Sequence, residues 1–477
     1  MKRLMTVAAC AALLAGCQDS PNPLTPEAPS SALLVSNLVK VDPVLTTLLN
    51  SSRPTDQLEV LVTFNETVTS ADVVSRAVQA SGAGVIRFKH LPVVFAVATP
   101  AQVATLSALP GVQSLYANKQ LKYYAENIAS IRADVAQTAG YTGKGVGIAI
   151  LDSGIDGLNP DVKHPTRTVQ NVKLLADAGD LVTFGDGVPR LAGDLYVENV
   201  ASSETSSGHG THVAGTAAGD GTASNGGYRG VAPEANLIGI GAGDAIFVFW
   251  TLAGFDYILE NHQKYNIQVV NNSWGTTGEY DALDPINVAT KKVYDRGIAV
   301  VFAAGNEGPG ENTLNPYSAA PWVISVAAGC NTTTADPTDS RSACSDAGKV
   351  LADFSSRGIR GHATVHPDIT APGSYIISTR ASLGLVVGGT AVPSDVGNCA
   401  IPQDLLPYYM CISGTSMAAP HVAGTIALME QASRGTMTPA QAYAAISRTA
   451  RPLAGYGEWE VGSGYLDAYA ATRYVKR

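Results

Sequence analysis

Apolar positions along this chain follow two rhythms. Between about Gln57 and Tyr124 they come in short runs separated by helix starts. Leu58-Glu59-Val60-Leu61-Val62-Thr63-Phe64 is rich in β-branched residues and partly alternates, which predicts a strand. Ser70 can accept a hydrogen bond from the first free N–H groups of a helix running through Ala80. Val85–Phe88 and Val93–Ala98 predict two further strands, parted by Leu91-Pro92. Thr99 followed by Pro100 marks a second helix start, which ends before Pro110-Gly111. Val112–Tyr116 predicts the last strand. The order β-α-β-β-α-β is ferredoxin-like. Ahead of it, Val35–Asn50 is apolar enough for a short helix.

From Ala125 onward the chain is longer and rich in Gly and Ala. Its apolar runs are nearly continuous: Val146–Leu151, Asn236–Ile240, Ile267–Val270, Ile298–Ala303 and Trp322–Val326. Helical stretches lie among and after them, at Thr251–His262, Pro285–Arg296 and Thr415–Ser433. Strands that are apolar throughout and alternate with helices predict an α/β fold, a parallel sheet covered by helices on both faces. In such sheets functional residues gather beyond the C-terminal ends of the strands. Asp152, Asn271 and Asn306 fall at those ends.

The N-terminus has its own pattern. Lys2 and Arg3 precede an apolar run, Leu4–Leu14, that is too short to span a bilayer. The run closes on Leu14-Ala15-Gly16-Cys17, which resembles a bacterial lipobox, with residues 1–16 as the signal and Cys17 as the lipidated residue. An ordinary signal peptide with a chance Cys is the alternative. Gln18–Ser31, rich in Pro and Ser, predicts a flexible tether, so residues 17–34 link the anchor to the folded part. No later run is long and apolar enough to be transmembrane, so membrane association is expected only through Cys17.

Composition narrows the partners. The 477 residues carry a formal net charge of -9 and show no cluster of Lys and Arg, which argues against nucleic acid. Six cysteines occur, of which Cys10 lies in the signal and Cys17 at its end. Cys330, Cys344, Cys399 and Cys411 make an even set in an exported chain, which suggests disulfides. Short loops are entropically cheapest to close, which favours Cys330–Cys344 and Cys399–Cys411. Buried free thiols remain an alternative, whereas zinc is disfavoured because no C-x-x-C pair occurs.

Four stretches carry candidate chemistry. Asp152-Ser153-Gly154 follows a buried strand and by itself reads as a turn. In Gly208-His209-Gly210-Thr211-His212, glycines flank His209 and permit close approach. His209 and His212 are three apart with no Glu between them, which does not fit a metal pair on a helix, so no metal ligands are assigned and His212 is read as structural. Ser413-Gly414-Thr415-Ser416-Met417-Ala418-Ala419-Pro420-His421 places Ser416 at the start of a long helix of small residues. Free N–H groups and the positive helix end favour negative charge there. Ser413 and Thr415 are the expected caps, and His421 is expected to be packed inside. Val300–Gly308 ends a strand with the amide of Asn306, which can donate to an oxyanion.

Together these stretches resemble the subtilisin-like (subtilase) serine proteases, in local sequence and in the order Asp, His, Asn, Ser. The resemblance covers roughly Ala125 to the C-terminus, and residues 125–477 are read as the peptidase domain. It implies a serine endopeptidase with Ser416 as nucleophile, His209 as general base and then acid, and Asp152 orienting His209. It implies an oxyanion hole from Asn306 and the Ser416 N–H, and no cofactor for the chemistry. Asn271-Asn272-Ser273-Trp274-Gly275 resembles the family's substrate strand, so Asn271, Ser273, Trp274 and Gly275 are substrate-binding candidates. Ala303–Asn306, with Ala304 and Gly305, resembles the wall of the primary specificity pocket. Phe354–Gly358 and Pro367–Gly373 match structural motifs of the family. Residues 35–124 resemble its inhibitory propeptide, a partner within the same chain, whose end near Tyr124 would lie in the cleft of a self-processing zymogen. Polypeptides are the implied substrates, a monomer the implied state, and the cell envelope or exterior the implied location. Structural calcium is common in such enzymes, and no ligand run places it here.

Two departures bear on cleft shape: a long polar insertion, Asp161–Ser207, and a segment, Gly241–Phe249, that is hard to align. A peptide-binding pseudoprotease lipoprotein would need a broken triad. An esterase or lipase would want G-x-S-x-G, where this chain has Gly-Thr-Ser-Met-Ala.

Overall fold

The computed structural model describes residues 39–119, 122–123, 130–175, 181–183, 189–191, 195–204, 207–243, 246–330, 350–382, 386–387, 390–391, 399 and 401–476. The signal, the tether with Cys17, and Cys344 lie outside these residues.

The small N-terminal unit follows its local signals closely. The strand Leu58–Phe64 is flanked by Val93–Ala98 and Val112–Ala117, with Gly84–Arg87 beyond Val93–Ala98, all antiparallel. A short strand, Lys40–Val41, adds in parallel to Val112–Ala117. The helix Ala71–Ala80 starts where Ser70 accepts from the Val73 N–H. The helix Pro100–Ser107 starts with a reciprocal Thr99–Gln102 capping box. The expected helix at Val35–Asn50 is shorter on the described side, Pro43–Ser51, because Pro43 follows the capping carboxylate of Asp42.

Alternation decides what each face of this sheet covers. Val60, Val62 and Phe64 point toward the unit's own helices, with Val74, Val78 and Val103. Leu61, Phe88, Phe95 and Tyr116 point the other way, into one apolar cluster with Phe249, Leu252 and Ile286 of the larger unit. The Phe95 and Phe249 rings lie 4.6 Å apart. The strand Leu58–Phe64 is therefore buried on both faces, which explains its near-continuous apolar sequence.

The larger unit is built on an eight-stranded sheet. Its order is Tyr196–Val197, Thr168–Leu174, Asn236–Gly241, Gly147–Asp152, Ile267–Asn272, Ala299–Ala303, Val323–Gly329 and Ile369–Pro372. Every pairing is parallel except that of the edge strand Tyr196–Val197. The helices His209–Ala218, Thr415–Ser433 and Ala468–Val475 pack against one face. Val248–Asn261, Pro285–Asp295 and the small unit's sheet cover the other.

The polar insertion needs a correction. Residues 168–174 are a strand of the central sheet, parallel to Asn236–Gly241, and five of the seven are buried. Its Gln170 and Asn171 hid it: both are buried and bonded, Gln170 to Glu198 and Tyr265, Asn171 to the Ile155 carbonyl.

Candidate active site

The parallel register puts several strand ends along one edge. Gly241 pairs with Asp152, Asn272 with Phe302, and Ala303 with Val326. Asp152 is the last residue of its strand and fully buried. Its Oδ1 accepts from His209 Nδ1 at 2.6 Å and from the Ser153 N–H at 2.8 Å. His209 opens its helix behind Gly208, whose φ of +73° suits glycine. The next residue, Gly210, meets the turn so closely that a Cβ there would lie 2.3 Å from the Gly154 carbonyl oxygen. A side chain at that position would push Asp152 and His209 apart.

The helix carrying His209 packs against the helix Thr415–Ser433. Ser416 lies in its first turn, fully buried, and its Oγ donates to the Ser273 carbonyl at 2.8 Å. Ser273 Oγ returns a bond to the Ser416 carbonyl at 2.5 Å and accepts from Asn271 Nδ2 at 2.9 Å. Neither Ser413 nor Thr415 caps this helix. Gly414 is the residue before it, with no side-chain cap. Thr415 instead donates both its N–H and its hydroxyl to Asn306 Oδ1, each at 2.9 Å, and accepts from the Gly305 N–H at 3.1 Å. With its oxygen held on one side, Asn306 turns its NH2 end the other way. Gly305 has φ +108°, and a Cβ there would strike Ser356 Oγ at 2.7 Å.

The remaining predicted residues fall around this centre. Trp274 is fully buried, its indole N–H on the Leu151 carbonyl, its ring against Phe302 and Tyr317. Asn315 Nδ2 bridges the Trp274 and Ala303 carbonyls at 3.1 and 3.0 Å, which locks these two strand ends together. Ala304 is buried and bonds Val326 through its N–H. Trp274–Gly275 forms a two-stranded antiparallel ladder with Lys122–Tyr123, Trp274 opposite Tyr123 and Gly275 opposite Lys122. Lys122–Tyr123, at the end of the small unit, thus runs along the candidate substrate strand.

His212 is structural as expected. It is fully buried, its Nε2 lies 3.2 and 3.3 Å from the Ile376 and Met410 carbonyls, and burial pushes it down to about 3. His421 likewise is packed inside and pushed down to about 3 by burial. Cys399 and Cys411 form a disulfide, and Cys330 is disulfide-bonded. No group of three or more His, Cys, Asp or Glu able to hold a metal occurs among the described residues. No described helix is long and apolar enough to cross a membrane.

The sequence left several contributors unnoticed. Thr415, Asn315 and Ser356 steady the loops, Ser356 by taking the Glu307 N–H at 3.0 Å. Glu204 lies buried behind Ser153. Thr415 was singled out only as a cap, and Ser356 lies within the Phe354–Gly358 motif match.

Residues 143–465 match the profile of the Subtilase family. The chain belongs to that family. It is 31% identical over 361 residues to the serine protease AprX of Bacillus subtilis (strain 168), covering 72% of this chain and 71% of that protein. It is 28% identical to subtilisin E of the same organism over 395 residues, covering 81% of this chain and 82% of the other. Among solved structures, the S41 psychrophilic protease superposes with a TM-score of 0.50 at 26% identity, over 68% of this chain and 91% of that one. Fervidolysin from Fervidobacterium pennivorans, described as a keratinolytic enzyme related to subtilisin, superposes with a TM-score of 0.60 at 21% identity. That match covers 94% of this chain and 64% of fervidolysin, and shows a shared fold. This subtilase is therefore a serine protease with the subtilisin-like α/β fold, acting on polypeptides.

Proposed function

We propose that this subtilase is made as an exported, self-processing precursor of a serine endopeptidase, with Asp152, His209 and Ser416 as its triad. In that reading His209 takes the Ser416 proton once the hydroxyl turns from the Ser273 carbonyl toward the imidazole. The freed oxygen attacks the substrate carbonyl. Asp152, through its 2.6 Å bond to Nδ1, holds the imidazole in the right tautomer and stabilises the imidazolium that forms. The oxyanion lies between the Asn306 amide and the Ser416 N–H at the positive helix end. His209 then returns the proton to the leaving amine, and water releases the acyl group by the same path. Ser273–Gly275 and Ala303–Asn306 form the two walls that hold the peptide extended. The chemistry needs no cofactor.

Residues 35–124 are the inhibitory propeptide of this reading, 1–16 the signal, and 17–34 a tether anchored by a lipid on Cys17. A monomer in the cell envelope suffices, with the disulfides expected of an exported chain.

One observation carries the precursor reading. The strand Lys122–Tyr123 pairs with Trp274–Gly275, next to the Ser273 carbonyl that holds the Ser416 hydroxyl.

The test is N-terminal sequencing and intact mass of purified wild-type protein and of Ser416→Ala. Wild type should begin near Tyr124, and Ser416→Ala should stay uncut and lose about 10⁶ in turnover. A mature N-terminus far from Tyr124 would refute the propeptide boundary. A processed, active Ser416→Ala would refute the nucleophile.

A further inference from the structure

The Asp–His pair has a buried neighbour whose chemistry the reaction does not use. Glu204 is only 4% exposed and stands at the end of the segment Ala201–Glu204, which crosses the turn after Asp152. That segment is tightly fixed. Ser202 forms a bridge with Asp156, the Ser203 N–H bonds the Ile155 carbonyl at 3.0 Å, and Ser203 Oγ takes the Ile155 N–H at 2.9 Å. It lies so close that a Cβ on Gly154 would sit 2.4 Å from the Ser203 carbonyl carbon.

From this strap Glu204 reaches both halves of the pair's support. Ser153 Oγ donates to its Oε2 at 2.8 Å, and Thr211 Oγ1 donates to the same oxygen at 3.3 Å. Ser153 follows Asp152, and its N–H holds Asp152 Oδ1. Its Oγ also accepts the Gly210 N–H at 2.8 Å, one residue past His209. With Ser153 Oγ committed as donor to Glu204, its lone pair faces Gly210. One carboxylate thereby ties the residue after Asp152 to the two residues after His209. A carboxylate beside the first turn of the His209–Ala218 helix also suits the helix's positive end.

We propose that Glu204 is a positioning residue for catalysis, holding Asp152 and His209 in register through Ser153 and Thr211. It touches neither substrate nor the reacting atoms. The proposal rests on the triad reading above. His212, on the His209 helix, and His421, on the Ser416 helix, are both driven to the neutral form by burial. Asp156, in the same turn as Asp152, has Oδ2 engaged by the Ser382 N–H and hydroxyl at 2.7 and 2.6 Å. Asp152 bonds the imidazole directly, and Glu204 bonds Ser153 and Thr211, which flank the pair.

The experiment uses full-length protein allowed to mature, with kcat and KM on a chromogenic peptide per active site titrated by a sulfonyl fluoride. Glu204→Ala should lower kcat on the order of tenfold, since a charge-assisted hydrogen bond is lost. KM should stay within about twofold, because no substrate contact changes. Glu204→Gln keeps an acceptor for Ser153 and should recover most of kcat. Its acid limb of kcat/KM should still move to lower pH, because the imidazolium loses a nearby anion. Loss through KM alone, an unchanged kcat in Glu204→Ala, or an unmoved acid limb in Glu204→Gln would each overturn the proposal. Should Glu204→Ala not mature, the acid limb of the isosteric Glu204→Gln decides by itself. Ser416→Ala runs alongside: turnover within about tenfold of wild type there would sink the triad, whereas wild-type behaviour of the Glu204 variants beside a Ser416→Ala that has lost its activity would sink only the role of Glu204.

Discussion

Removing the Asp256 carboxylate should loosen the small unit from the peptidase by about 10²-fold. Asp256 lies on the helix Val248–Asn261 and is only 8% exposed. Its two oxygens accept the backbone N–H groups of Lys89 and His90 at 2.8 and 2.5 Å. A hydrogen bond to a charged group contributes about 1.5–3 kcal/mol. Burial pushes the Asp256 carboxyl above its ordinary value, and that outweighs the two N–H groups, so the carboxylate bears a real desolvation cost. The lower figure is therefore the one to use, about 3 kcal/mol for the pair of bonds, or roughly 10²-fold in an inhibition constant. The assay adds residues 35–124 as a separate polypeptide to mature wild-type and Asp256→Ala enzyme and measures the inhibition constant. Glu260→Ala serves as the comparison. Glu260 pairs with Lys89 on the surface, with the two side chains 35% and 62% exposed, and such pairs contribute about 0–1 kcal/mol. An Asp256→Ala effect no larger than that of Glu260→Ala would refute the reasoning, because the two buried N–H bonds would then contribute nothing beyond a surface ion pair.

Other outcomes follow from single contacts. Asn306→Ala should reduce kcat by roughly 10²–10³, the range already known for subtilisin's own side-chain donor, with KM little changed. Thr415→Val removes one of the two bonds that orient Asn306 and the acceptor of the Gly305 N–H, about 2 kcal/mol together, so kcat should fall about thirtyfold; a loss of about 10³ or more would show that Thr415 does more than steady this loop. Asp284, at the start of the helix Pro285–Asp295, is pushed up to about 7 by burial, with Lys119 at 3.9 Å opposing and Asp42 and Asp281 adding to the rise. A carboxyl raised in the folded protein contributes stability that is present below its ordinary value near 3.8 and lost as pH rises through about 7. Urea denaturation of uncut Ser416→Ala across that window should show this decline, to which Asp368 and Glu430, also raised by burial, contribute in the same sense, and Asp284→Asn should lessen its slope.

Local chemistry made the small unit readable. Ser70, Thr99 and Pro100 mark helix starts within a few residues of themselves, and both helices begin where those residues say. The strand Val93–Ala98 and the helix Thr415–Ser433 have the very bounds their apolar and small-residue runs predict. The triad candidates were legible for a different reason. Each lies in a stretch of particular residues whose order along the chain matches the family, and the structure unites Asp152 with His209 directly. Long-range compensation was not legible. Thr168–Leu174 looks like polar insertion because Gln170 and Asn171 find buried partners in Glu198, Tyr265 and the Ile155 carbonyl, none of which a local pattern contains.

Sequence alone determined the family, the alternation of strands and helices, and which residues could do the chemistry, since those depend on residue type and short spacing. Tertiary structure decided what each polar group answers to. Thr415 looked like a cap and instead aims Asn306, and Glu204 looked like part of a loop and instead lies buried between the residues beside Asp152 and His209. A hydroxyl or carboxylate takes its role from the partner that the fold brings within about 3 Å, and that partner is set by packing across the whole chain.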